Sequence, residues 1–193
     1  MKPNITLHET LEFVNHYHKD DLYGRYPYVY HLFDVANTLR KACLTAKVDE
    51  EHTEFLYKAA LLHDIIEDHP EICKEYPSMN QVEVCKHIFG EKLGEVVWRL
   101  TDEDAPTRKE RKSLTLAKTF SCPNASVVKM ADRICNITQG IAEGNLNKGR
   151  MYFREHIDFL NFYDNSNVTA DLFYILRGKY LNLHHILKKN FGE

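Results

Sequence analysis

The chain has 193 residues, close to the roughly 150 of an average domain, so one folded domain is expected. Its composition, 44% hydrophobic and 27% charged, excludes wholesale disorder. Lys and Arg total 25 against 28 Asp and Glu, a net charge of −3 that excludes a polybasic binder of DNA or RNA working through bulk charge.

The five cysteines (Cys43, Cys73, Cys85, Cys122 and Cys135) are scattered and include no C-x-x-C pair. They read as reduced packing residues rather than a disulfide framework or zinc ribbon. No stretch approaches the ~20 apolar residues of a membrane span. The opening MKPNITLHETLEF lacks the apolar core of a signal peptide, so a cytoplasmic location is expected. Histidine is abundant, at 11 residues.

Glycine and proline are too few, at 8 and 6, for an all-β fold built on tight turns. Thr6 and Glu9 form a capping-box pattern before Leu7, Leu11 and Val14, predicting a helix to about His18. Residues 20–28 (DDLYGRYPY) read as a polar loop. A second helix carries His31, Val35, Leu39 and Ala42 on one stripe. A third, from about Glu51, carries Phe55, Ala59, Leu62 and Ile66 and stops before Pro70.

Ser78 and Gln81 suggest a further capping box, opening a helix that ends at Gly90. Helix continues over 92–100, and the charged run 102–112 (DEDAPTRKERK) begins as loop. Pro123 opens a helix through Val127, Met130, Ala131, Ile134 and Ile137. A loop is expected over 140–149, followed by helices near 150–163 and 168–190. The expectation is an all-α bundle of about eight or nine helices over 1–193.

The chemistry concentrates in Ala59-Ala60-Leu61-Leu62-His63-Asp64-Ile65-Ile66-Glu67-Asp68. On a helix, His63 with Glu67 and Asp64 with Asp68 would share faces one turn apart, and His63 and Asp64 could reach one cation. Imidazole and carboxylate donors suit Mn²⁺, Fe²⁺ or Zn²⁺ better than Ca²⁺. Two further candidates sit on apolar helical faces, His31 and Asp132, with Asn136 one turn beyond Asp132. A buried Asp is expensive unless paired or metal-bound.

In order, His31, His63-Asp64 and Asp132 resemble the H…HD…D pattern of HD-domain metal-dependent phosphohydrolases. HDIIED, then Phe89-Gly90, Leu100 to Asp102, RKERK and KMADRICN resemble RelA/SpoT-type alarmone hydrolases, over roughly 8–165. The resemblance implies an HD-domain fold and a Mn²⁺ ion on His31, His63, Asp64 and Asp132, with Fe²⁺ or Zn²⁺ as alternatives. It also implies Glu67 and Asp68 activating the attacking water and Asn136 contacting the nucleotide. The family's phosphate-contacting lysine falls in the Arg108 to Lys112 region, assigned to Lys109, and Lys148 with Tyr152 resembles a late basic-plus-tyrosine pair. Lys129 and Arg133 flank Asp132, and Lys129 joins the substrate-binding candidates.

One departure bears on the substrate. The family's Arg-Lys pair before the P-Y-x-x-H segment reads Leu22-Tyr23 here, although Pro27-Tyr28-Val29-Tyr30-His31 keeps the segment. Arg25 and Tyr28 then become the nearby candidates for a phosphate and a base. The expected reaction is removal of the 3′-diphosphate from a (p)ppGpp-type alarmone as pyrophosphate, leaving GDP or GTP. The alternatives are an HD phosphatase acting on a nucleoside monophosphate, ppApp or NADPH, and a non-catalytic helical binding domain. A small nucleotide is the expected partner, with no DNA, RNA or membrane, and the oligomeric state is left open. His184-His185 reads as a helix-surface pair, and His16, His18, His52, His69, His87 and His156 receive no role.

Overall fold

In a computed structural model, which describes residues 4–191, helices begin where local chemistry starts them. Helix α1 (Leu7–Tyr17) opens on the Thr6/Glu9 capping box, each side chain satisfying the other residue's backbone N–H. The polar segment after it forms a short antiparallel hairpin, β1 (Leu22–Tyr23) with β2 (Tyr26–Pro27), rather than a loop. Gly24 makes the turn at φ 63°, a left-handed conformation that glycine adopts without steric cost.

Helix α2 (Val29–Thr45) buries the stripe His31, Val35, Leu39 and Ala42. Helix α3 (Glu50–Leu61) follows, capped by Asp49 through the His52 N–H. Here the single third helix of the sequence reading divides: the chain turns at 62–64 and resumes as the four-residue α4 (Ile65–Asp68). The apolar period runs unbroken through Leu62, Ile65 and Ile66, all buried, so periodicity carries no trace of the break. A second short turn, α5 (Glu71–Lys74), was also not expected.

Helix α6 (Gln81–Phe89) is capped by Asn80 and Glu83, two residues beyond the expected Ser78/Gln81 pair, because the Asn80 carboxamide supplies the acceptor. Gly90 ends α6 at φ 92° and starts α7 (Glu91–Leu100). The two helices touch at Gly94, where a Cβ would stand 2.3 Å from the Cys85 carbonyl oxygen. Helix α8 (Arg108–Phe120) begins inside the charged run, and α9 (Pro123–Ala142) begins with its proline.

The expected loop over 140–149 shrinks to 143–145, because Asn145 caps α10 (Leu146–Arg154) early. The helix expected near 150–163 is divided at Glu155 into α10 and α11 (His156–Asp164), and α12 (Ala170–Phe191) closes the described chain. Two of the twelve described helical segments span only four residues.

Helix α9 is the axis of the assembly and packs against α2, α3, α7, α8, α10 and α12. It buries Val127, Val128, Met130, Ala131 and Ile137 among apolar neighbours, while Asp132 is held on the face toward α2 and the 62–64 turn. All five cysteines are free, and burial pushes the Cys85 and Cys135 thiols up to about 12, as inert packing residues. His184 is half-buried rather than fully exposed. Its ring stacks on His156 and Phe153, with centroids 3.3 and 5.3 Å away, whereas His185 is exposed.

Candidate metal and nucleotide site

The 62–64 turn sets the first ligand. Where α3 stops, the Ala60 carbonyl lies 2.8 Å from His63 Nδ1. A carbonyl only accepts, so Nδ1 carries the proton and a neutral His63 presents a bare Nε2 lone pair. That Nε2 is buried without a hydrogen-bond partner and faces two carboxylate oxygens, Asp64 Oδ2 at 2.8 Å and Asp132 Oδ1 at 3.6 Å. From α2, His31 Nε2 points to the same place, 3.3 Å from Asp132 Oδ1 and 3.9 Å from Asp64 Oδ2.

Lone pairs facing lone pairs in a buried pocket require a cation or a proton between them. The electrostatics agree. Burial opposes a charge on His63, yet the neighbouring Asp64 and Asp132 carboxylates push its pKa up to about 10. Burial likewise opposes ionisation of Asp132, but Lys129, His31 and His63 hold its carboxyl well below the usual range. The donor set, two imidazoles and two carboxylates, fits a first-row divalent ion of the Mn²⁺, Fe²⁺ or Zn²⁺ kind.

Around this pole the polar groups form a connected shell. The Tyr28 hydroxyl donates to Asp64 Oδ2 at 2.7 Å. Lys129 Nζ takes the other face of Asp132, 3.3 Å from Oδ2. The Asn136 amide donates to Asp132 Oδ1, and its own carbonyl accepts from the Tyr23 hydroxyl. Tyr23 accepts in turn from Lys148 Nζ at 2.7 Å, and its ring stacks on His31 with centroids 4.3 Å apart. Lys148, Tyr23 and Asn136 therefore make one hydrogen-bonded chain ending on a tetrad carboxylate.

Glu67 and Asp68 follow on α4. Both side chains are exposed, yet partial desolvation by the protein around them raises their carboxyl pKa, opposed at Glu67 by Lys129 and reinforced at Asp68 by Asp64. Each therefore accepts a proton more readily than a free carboxylate at neutral pH.

Other expected residues lie further out. Tyr152 is buried under the Arg133 guanidinium, whose carbon is 4.6 Å from the ring centroid, and lies near enough to Asp132 to feel its charge. Arg25 is exposed on the hairpin turn over the Tyr26 ring, lining a groove of about 440 Å³ with Tyr23 and His31. Lys109 lies exposed and lines a separate groove with Arg108, Arg133 and Glu155. The basic run winds around α8, so its members face different ways. Arg111 and Lys112 both pair with Asp102, at 3.6 and 3.4 Å, and the Lys112 and Asp102 charges reach Glu67. Arg133 turns away as well, to Glu155 at 2.9 Å.

A helical assembly with two histidines and two aspartates converging from α2, the 62–64 turn and α9 defines a class. The HD-domain family model matches residues 28–137, and the chain belongs to the HD-domain family. Among curated proteins it is similar to the guanosine-3′,5′-bis(diphosphate) 3′-pyrophosphohydrolase MESH1 of Drosophila melanogaster, 33% identical over 114 residues. That alignment covers 58% of this chain and 54% of the relative, so the chain spans about half the length of the curated relative it matches. Its fold is similar to a solved structure of a metazoan ortholog of SpoT that hydrolyses ppGpp. The TM-score is 0.65 at 22% identity, over 94% of this chain and 97% of that one.

Proposed function

We propose that this protein is a divalent-metal phosphohydrolase that removes the 3′-diphosphate of guanosine (p)ppGpp-type nucleotides, with Mn²⁺ as its ion. His31, His63, Asp64 and Asp132 are the ligands in this reading. The carrying observation is His63 Nε2, buried, bare and aimed at the two carboxylates, with raised carboxyls on the next turn. The activity named for the fly relative gives the substrate class.

The ion, when bound, lowers the pKa of water and polarises the phosphoryl oxygen. Glu67 or Asp68 takes one proton from the water as its oxygen attacks the phosphorus attached to the ribose 3′ oxygen; the bond from that phosphorus to the 3′ oxygen breaks, and the 3′ oxygen leaves as a hydroxyl after receiving a proton. The products are GDP or GTP and pyrophosphate. Lys129 holds Asp132 ionised, while Lys148, Tyr23 and Asn136 fix its orientation and line the nucleotide side with Tyr28, Tyr152 and Arg25. A net charge of −3 fits a small nucleotide better than DNA or RNA. No described helix is long and apolar enough to cross a membrane. A cytoplasmic location is part of this proposal.

A second reading rests on Tyr23. It stands where the alarmone hydrolases carry their Arg-Lys pair, and its hydroxyl already engages Asn136. That arrangement favours a nucleotide other than (p)ppGpp, such as ppApp, NADPH or a nucleoside monophosphate. Product analysis decides between them: metal-stripped protein, with and without Mn²⁺, is incubated with ppGpp, pppGpp, ppApp, NADPH and nucleoside monophosphates. Mn²⁺-dependent pyrophosphate release from ppGpp or pppGpp supports the first reading. Pyrophosphate from ppApp, or inorganic phosphate from NADPH or a monophosphate, with ppGpp and pppGpp untouched, supports the second.

A further inference from the structure

We propose that His18, Asp21 and His69 form a second divalent-cation site, of the zinc or iron(II) class, at the foot of the hairpin. The three residues come from three segments: the C-cap of α1, the chain entering β1, and the C-cap of α4. Their donor atoms form a tight triangle. His18 Nδ1 and His69 Nε2 lie 2.8 and 2.9 Å from Asp21 Oδ2, and 3.3 Å from each other. Ligand atoms on one ion with bonds of about 2.1 Å stand roughly 3.0–3.4 Å apart, so little movement separates this triangle from a coordination face.

Proton bookkeeping supports the cation. His69 Nδ1 lies 3.0 Å from Glu71 Oε1, and a carboxylate only accepts, so Nδ1 carries the proton. A neutral His69 then aims a bare Nε2 at a carboxylate oxygen and a second ring nitrogen. Three things can fill that place: a proton on His18 Nδ1, 3.3 Å away, a second proton on His69 itself, or a metal ion. A carboxylate on the far nitrogen is the usual outer partner of a ligating histidine. His18 is fully buried and Nε2 has no partner, so Nδ1 carries its polar contacts.

Two imidazoles and one carboxylate on one face leave open positions, as in other mixed-ligand sites for such ions. Asp21, 38% exposed, gives solvent and an ion access. The His18 ring stacks on Tyr28, centroids 4.7 Å apart, and Tyr28 donates to Asp64. An ion on the triangle would thus pin the hairpin base and fix the tyrosine that holds a tetrad ligand. The proposal does not depend on which nucleotide is hydrolysed.

The test is metal stoichiometry, read by dialysis against Zn²⁺ with elemental analysis and by the visible spectrum of Co²⁺. The wild-type chain should bind two equivalents of Zn²⁺. Asp21→Asn or His69→Ala should leave one, and Glu71→Gln should weaken the second equivalent by roughly ten- to a hundredfold. Asp132→Ala should also leave one equivalent, which vanishes when His69→Ala is added. Should Asp132→Ala fail to fold, the Co²⁺ difference spectrum between wild type and His69→Ala carries the same information. One equivalent in the wild type that His69→Ala leaves untouched would show that a proton rather than a metal fills the triangle and overturn the proposal. One equivalent lost in His69→Ala but kept in Asp132→Ala would support it while removing the tetrad from the metal account.

Discussion

The Tyr28 hydroxyl donates to Asp64 Oδ2 at 2.7 Å, the same oxygen that lies 2.8 Å from His63 Nε2. Burial and the Asp64 charge raise the phenol pKa, so Tyr28 stays protonated and can only donate to that oxygen. Tyr28→Phe keeps the ring stack on His18 and deletes the donation. Metal affinity or turnover should fall about 10- to 100-fold, as for other partners of metal ligands. Unchanged Mn²⁺ affinity and rate would show that Asp64 is oriented without it.

Glu67 sits one turn from the tetrad, exposed but with its carboxyl pKa raised by partial desolvation. Glu67→Gln preserves shape and removes the proton acceptor. Turnover of the accepted nucleotide should drop roughly 10²–10⁴-fold with little change in bound metal. A drop of that size that tracks metal loss instead would move Glu67 into the ligand set.

Gly94 permits the α6–α7 contact, since a Cβ there would stand 2.3 Å from backbone oxygen at Cys85. Backbone cannot rotate out of the way as a flexible side chain would. Gly94→Ala should destabilise the protein by about 1–3 kcal/mol through overpacking, read from denaturant midpoints. Because α6 and α7 contribute no tetrad ligand, metal affinity of the folded variant should be unchanged.

His156 stacks on His184, and its Nδ1 lies 3.0 Å from the Tyr180 hydroxyl. Burial, then the His184 charge, lowers its pKa to about 4 from an ordinary 6.5. The unfolded chain therefore binds a proton between those values that the native chain refuses. This contribution to stability is complete above about pH 6.5 and declines as pH falls toward 4. Urea midpoints should drop from pH 7 to pH 5 more in wild type than in His156→Phe, and equal drops would contradict the assignment.

What the sequence made legible was local or already ligand-like. Thr6 with Glu9 and Pro123 start helices through atoms a few residues away, so spacing alone places those starts. His31 and Asp132 stood out as polar residues on apolar faces, and the fold brings them within 3.3 Å. The turn at His63-Asp64 was hidden because Leu62, Ile65 and Ile66 are buried on both sides of it and keep a helical period. The spacing of Arg108, Lys109, Arg111 and Lys112 does not tell which of them faces the site, because neighbouring residues on a helix are sorted only when the helix is docked. His18, Asp21 and His69 were passed over for a similar reason. Residues 18 and 69 meet only through tertiary packing, and no motif spans that gap.

The packing of α12 carries a lesson about modularity. The family match ends at residue 137, inside α9, yet α12 lies along α9 and buries Leu172, Leu176, Tyr180 and Leu187. The three leucines alone are worth roughly 5–9 kcal/mol of burial, comparable with the whole stability of an ordinary domain. Trimming the chain to its recognisable portion would strip the back of the helix that presents Asp132 and leave a sticky apolar seam. The minimal unit that can be engineered, swapped or expressed is therefore longer than the unit that similarity reveals.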